Sequence, residues 1–219
     1  MKSTYRTTGF LYIAIIVLGL FSEVVVRGSV TGDPLRVGQL ISENSALFRI
    51  GIASDMVVFL ADVAVAALLY LILAPFGKPA ALVAAAFRLT GSAVYAANLL
   101  NQAAALLVLD HVPAADASSL AAFYLSLQSL GYDLGLLFFG VHCIILGFIF
   151  RRAGSLPGWL GGLLLAAGAV YLVGSSIALL APTLTSTFAP VYAIALLGEL
   201  ALAGWLIRAR VDPDQLVPG

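Results

Sequence analysis

Charge is scarce in this chain, and cysteine, histidine and methionine are scarcer. Only 10% of its 219 residues are charged and 62% are hydrophobic, against roughly 25% and 45–50% in a soluble domain. Water is therefore not its principal solvent. Formal net charge is zero and no basic block occurs, which removes the electrostatic footprint of a nucleic-acid binder. A single cysteine, Cys143, excludes an intrachain disulfide and leaves the redox compartment unreadable. Gly-x-Ser-x-Gly, His-Glu-x-x-His and Cys-x-x-Cys are all missing, so the usual hydrolase, zinc-protease and redox signatures are absent.

What fills the chain is a succession of long apolar runs split by short polar turns, with no room for an appended soluble domain. A helix needs about 20 mostly apolar residues to cross the hydrocarbon core. Six segments qualify, near 8–26, 48–73, 80–109, 129–150, 159–180 and 188–207. The expected fold class is all-α: one polytopic transmembrane helix bundle over residues 1–219. Lys2 and Arg6 precede the run Phe10 to Phe21 as in a secretion signal. No small-x-small cleavage site follows, and Glu23 with Val24 to Val26 continues the helix, so this is read as an uncleaved first span.

Between the first two spans, Asp33 and Pro34 suit an N-cap and first turn. Val37, Leu40, Ile41 and Phe48 recur at helical spacing, with Arg36, Gln39, Glu43 and Asn44 off that stripe. The pattern predicts an amphipathic surface helix over 34–46, with an ordinary polar loop as the alternative. Residues 117–150 contain no proline, and one helix of that length would measure about 50 Å. Either the part before Gly131 projects beyond the membrane or the helix bends there, with Asp116 and Ser118 as candidate caps.

Six spans put both termini on one side. That side collects Lys2, Arg6, Lys78, Arg151, Arg152, Arg208 and Arg210, against Arg27, Arg36 and Arg49 on the other. The bias predicts cytoplasmic termini in the cell inner membrane. No internal repeat is found, so a three-plus-three inverted transporter repeat is not indicated.

Ionisable groups at mid-membrane cost about 2.5–3.5 kcal/mol each even on the most permissive scale. Seven occur: Glu23, Asp55, Asp62, Arg88, Asp133, His142 and Glu199. Asp55 and Asp62 lie seven apart and face the same way, as do Arg88, Tyr95 and Gln102, and Tyr192 and Glu199. Gln128, Tyr132, Gly135, Phe139 and His142 form a further stripe, while Asp133 is rotated away from His142. Tyr12 shares a face with Glu23, and the fifth span offers Tyr171, Ser175 and Ser176. These stripes converge most simply on a common interior.

Depth divides them. Asp62, Arg88, His142 and Glu199 form an expected buried cluster, with Arg88 paired to Asp62 or to Glu199. Glu23, Asp55, Asn98, Asn101, Gln102 and Asp133 form an expected outer layer around a cavity. Acids outnumber bases five to one, so at least one carboxyl is expected to hold its proton. The competing account is purely architectural: Arg88 with one acid fixes helix register, and Asn98 or Gln102 glues helices together. His142 beside Cys143 is too few ligands for a metal, and no metal or cofactor is expected. Gly135, Gly140, Gly147, Gly158, Gly161, Gly162 and Gly168 permit close helix packing, as do Gly91, Ser92 and Gly198.

Asp133, Phe138-Phe139-Gly140, His142-Cys143, Gly147, Arg151, Gly154, Leu156-Pro157 and Tyr171 form a specific pattern. With Thr8-Gly9-Phe10-Leu11-Tyr12, Phe48-Arg49, Asp55, Asp62, Phe87-Arg88 and Asn98-Leu99-Leu100, it resembles a family of uncharacterised bacterial integral membrane proteins. That family is known only as a domain of unknown function. In that family a basic residue usually follows the Leu-Pro of the turn, where this chain has Gly158. The resemblance implies about six membrane helices and supplies no activity.

Three functions compete. A small-molecule binding or transport protein would hold a polar or amphipathic solute in the outer cavity and a proton on a carboxyl. A membrane-embedded enzyme would use a protonated carboxyl on a lipophilic substrate such as an olefin, with aromatic faces steadying a cation. A non-catalytic structural subunit would need the charges only for packing. Expected partners are membrane lipid, a small-molecule or lipophilic ligand, and a second copy of the chain through small-residue faces.

Overall fold

The computed structural model describes residues 2–30 and 32–209, so Arg210 lies outside the described residues. Among these, six helices are long and apolar enough to cross a membrane, and the chain is a multi-pass membrane protein. α1 covers Lys2–Val30 and contains a π-helical stretch, Phe21–Arg27. A short α2, Val37–Glu43, precedes α3, Ser45–Leu73. There follow α4, Lys78–His111, α5, Ala114–Arg152, α6, Gly158–Leu180, and α7, Tyr192–Arg208.

The six long helices form a closed ring in chain order. Each packs on the next, from α1 through α3, α4, α5 and α6 to α7, and α7 returns to α1. Both described termini, the turn at Gly77 and the 153–157 turn sit at one end, here the termini end. The 32–44 segment, the 112–113 turn and the 181–191 segment sit at the other, the distal end. A ring built this way has an interior facing all six helices, and its outward positions are apolar and exposed, including Phe10, Leu60, Leu100 and Leu197.

α2 is held by burial of Val37, Gly38 and Ile41, with Arg36, Gln39 and Glu43 exposed. It lies across the first turns of α5: a Cβ on Gly38 would stand 3.1 Å from Ser118 Cα. Asp33 does not cap it. Its Oδ1 instead accepts from the Leu35 amide at 3.0 Å, closing a turn ahead of the helix. α5 runs unbroken through Gly131, and its N-cap is Pro113, so Asp116 falls in its first turn.

The termini end is sealed by an apolar cluster that includes Ile16, Val65, Leu146, Phe150, Leu160 and Leu206. Sidedness of exposed Lys and Arg is sharp among the described residues. Lys2, Arg6, Lys78, Arg151, Arg152 and Arg208 are exposed at the termini end, and Arg36 and Arg49 at the distal end.

Candidate functional site

At mid-depth each of the six helices contributes at least one buried polar side chain to the ring interior. Tyr12 comes from α1, Asp62 from α3, Arg88 from α4, His142 from α5, Tyr171 from α6 and Glu199 from α7. The guanidinium of Arg88, fully buried, is the hub. Its Nη2 donates to Asp62 Oδ1, and its Nη1 reaches Tyr12 Oη at 3.0 Å and His142 Nε2 at 3.2 Å. Ser92, one helical turn along α4, donates to Asp62 Oδ2.

Two rings clamp the guanidinium, Tyr12 at 4.7 Å and Phe139 at 4.8 Å from its carbon, a desolvated cation–π sandwich. The tautomer of His142 follows from its partners. Nδ1 faces the Ala84 carbonyl at 2.9 Å, which can only accept, so Nδ1 carries the hydrogen and Nε2 accepts from Arg88. His142 therefore acts as a neutral acceptor in the Arg88 shell, in which Arg88 Nε finds no hydrogen-bond partner among the described residues.

Glu199 does not join this shell. Its Oε1 accepts from the Tyr171 hydroxyl, and Asp62 alone makes the ion pair with Arg88. Tyr171 packs edge-on against Phe139 at 5.4 Å and lies 6.0 Å from Tyr192, so the two halves of the layer share an aromatic wall.

A second polar layer lies about 10 Å nearer the distal end, one heptad along α3 at 1.5 Å per residue. Asp55 Oδ2 accepts from Arg27 Nη1 at 2.9 Å and from Gln102 Nε2 at 2.9 Å. Asn98 Nδ2 donates to the Gln128 carbonyl at 2.7 Å, and Asn101 Nδ2 to Asn98 Oδ1 at 2.8 Å. Arg27, Asp55, Tyr95, Asn98, Gln102 and Tyr132 line a largely enclosed cavity of about 10 Å³, which is room for one water.

Not every expected outer residue lines it. Asn101 stands behind Asn98, and Asp133 is half-buried outside the lining. Glu23 is exposed and bonds Arg27 at 2.7 Å from outside the ring. Both residues belong to the π-helical stretch Phe21–Arg27, and within it the half-buried Arg27 reaches inward to Asp55.

Arg27, Tyr12, Ser92 and Tyr171 therefore carry more of the site than spacing assigned to them. Arg27 reads in sequence as an interfacial base and Ser92 as a packing residue. A larger open volume of about 410 Å³ is an apolar groove on α6 lined by Leu172, Val173, Ser176, Ile177, Leu180 and Ala181, with no titratable group. Among the described residues no three His, Cys, Asp or Glu side chains are placed to hold a metal.

The family model described as "Domain of unknown function (DUF4386)" matches residues 7–209. An uncharacterised protein of the archaeon Archaeoglobus fulgidus is 30% identical over 122 residues, 56% of this chain. The match spans 63% of that relative's length, and its archaeal source means that a bacterial origin does not follow from the likeness. No solved structure matches the chain.

Proposed function

The chain belongs to this family of unknown function, and we propose that it is a small-molecule binding or transport protein, its solute site lying in the second polar layer. The carrying observation is the polar cavity under Arg27, Asp55, Asn98 and Gln102. A protein that needed charge only for register would require one ion pair, whereas here a second layer of buried polar groups encloses a gap of its own. At about 10 Å³ the gap is an occluded form, and solute is admitted when the distal ends of the helices part. The π-helical stretch of α1, which carries Arg27, is suited to that movement, since such irregular turns recur at functional positions.

In proteoliposomes loaded with a pH-sensitive dye, external addition of one of a panel of amino acids, carboxylates, amines and sugars is expected to drive internal pH change. Asp55→Asn, which removes the anchor of Arg27 and Gln102, is expected to abolish it. A flat response across the panel would overturn the transport reading. A second reading, protonation of a lipophilic substrate, draws on Glu199. Co-purified lipid that is lost in Glu199→Gln would favour it.

On the same reading the termini end faces the cytoplasm and the distal end the outside of the cell inner membrane, which the excess of exposed bases at the termini end supports. Cys143 is buried and the only cysteine, so introduced cysteines report cleanly. A membrane-impermeant maleimide is expected to label Asp110→Cys in intact cells and to spare Gly154→Cys; the reverse pattern inverts the topology.

A further inference from the structure

Five acids occupy the spans, and their partners differ in kind. Asp62 is held by Arg88 and Ser92, and Asp55 by Arg27 and Gln102. Glu23 is exposed against Arg27. Glu199 is buried and, among the described residues, makes no ion pair; its partner is the Tyr171 hydroxyl.

The distinction is chemical. Arg88 has donors only, so it cannot accept the O–H of a protonated Asp62. A phenol both donates and accepts. Tyr171 therefore satisfies Glu199 as a carboxylate, by donating to it, and as a carboxylic acid, by accepting from it. This arrangement tolerates gain and loss of a proton without losing its hydrogen bond.

The surroundings leave that role open. Within electrostatic reach of Glu199 are Tyr12 from α1, Asp62 from α3, and Arg88 and Tyr95 from α4. α5 presents Tyr132 and Cys143, and α6 presents Tyr171. Arg88 is the one base among them, and Asp62 already engages it.

A route leads outward on one side only. From Tyr171 the next ring, at 6.0 Å, is Tyr192, which is half-buried at the distal end of α7. Tyr192 fits against Gly174, where a Cβ would collide with its ring, and it lies within electrostatic reach of half-buried Asp133. Toward the termini end, Glu199 meets Leu202, Leu206 and the apolar seal.

We propose that Glu199 is a proton-binding site that exchanges with the distal face through Tyr171, Tyr192 and Asp133. In the relay each phenol gives up one proton as it receives one. The net step moves a single proton from Asp133 to Glu199 and leaves both tyrosines unchanged. As the proton site of a solute carrier the inference rests on the transport reading, although proton binding is measured without any solute.

Infrared difference spectra of the full chain in lipid nanodiscs test it. The chain has three glutamates, Glu23, Glu43 and Glu199, of which the first two are exposed, so carbon-13 glutamate labelling isolates the relevant carboxyl without a mutation. A protonated-carboxyl band that titrates with pH and shifts with the label is expected, and Glu199→Gln should remove it. Tyr192→Phe should keep the band and slow its response to a pH jump about a hundredfold, the low end of what a positioned proton-transfer group contributes. No label-sensitive band, its survival in Glu199→Gln, or a wild-type rate in Tyr192→Phe would overturn the proposal. A titrating band without solute flux sinks the transport reading alone, and solute flux without the band sinks this one alone.

Discussion

Arg88→Met is expected to cost about 3–5 kcal/mol of stability, the range for breaking a buried ion pair from one side. The loss comes from what remains. Asp62 would keep Ser92 as its donor and lose its counter-charge, while Tyr12 Oη and His142 Nε2 would each lose the Arg88 Nη1 donor. The sandwich between Tyr12 and Phe139 would also close on an uncharged, differently shaped side chain. Asp62→Asn should be destabilising for the converse reason, leaving a fully buried cation without an anion.

The double variant Arg88→Met, Asp62→Leu separates two accounts of the layer. Removing both charges should recover about 1–3 kcal/mol relative to Arg88→Met, as coupling between contacting residues requires. Recovery is incomplete because the hydroxyl of Tyr12 and the imidazole of His142 remain short of a partner. Thermal unfolding in nanodiscs, read by intrinsic fluorescence, gives the cycle. If the pair serves only packing, the folded double variant keeps whatever solute-driven flux the parent shows. Loss of flux in a folded double variant places the Arg88 layer in the transport machinery.

Helix faces were legible from spacing because seven residues bring a side chain back to nearly the same direction. Asp55 and Asp62, and Arg88, Tyr95 and Gln102, all point into the ring and are buried. Six spans were legible because continuous apolar length is what a bilayer demands. Partner choice was not legible. Spacing fixes the direction of a side chain on its own helix and says nothing about which neighbour stands opposite. Arg88 therefore had two acids to choose between until the ring order put α3 beside α4 and gave Glu199 to Tyr171 on α6. The π-helical stretch was invisible for a related reason: Phe21 to Arg27 reads as ordinary apolar helix, and no residue type marks the altered hydrogen bonding. Within it Arg27 reaches inward to Asp55 and Glu23 is exposed, where the sequence reads as an interfacial base and a cavity acid.

The α5–α6 contact supplies the sharpest steric prediction, because the same substitution should change sign within one turn of helix. The helices run antiparallel, and Gly140 and Gly147 of α5 stand opposite Gly168 and Gly161 of α6. A Cβ on Gly161 would lie 2.7 Å from the Gly147 carbonyl oxygen, and one on Gly168 would lie 2.6 Å from that of Gly140. Backbone cannot step aside as a side chain does, so Gly161→Ala or Gly168→Ala must push the helices apart. The expected loss is about 1–3 kcal/mol each, the usual cost of overpacking. Gly162 has only the tip of Arg151 near it, at 3.8 Å. There alanine meets open space and should instead stabilise the helix by up to about 1 kcal/mol through propensity. Thermal unfolding of the three variants in one lipid composition checks both signs, and equal shifts at positions 161 and 162 would refute the interlock. The site should register the difference too. Gly168 lies one turn before Tyr171, and Gly140 follows Phe139, which packs against Tyr171 at 5.4 Å. Separating α5 from α6 at Gly168 loosens the Phe139 contact that positions Tyr171 for Glu199, so Gly168→Ala should weaken the Glu199 infrared signal, whereas Gly162→Ala should leave it intact.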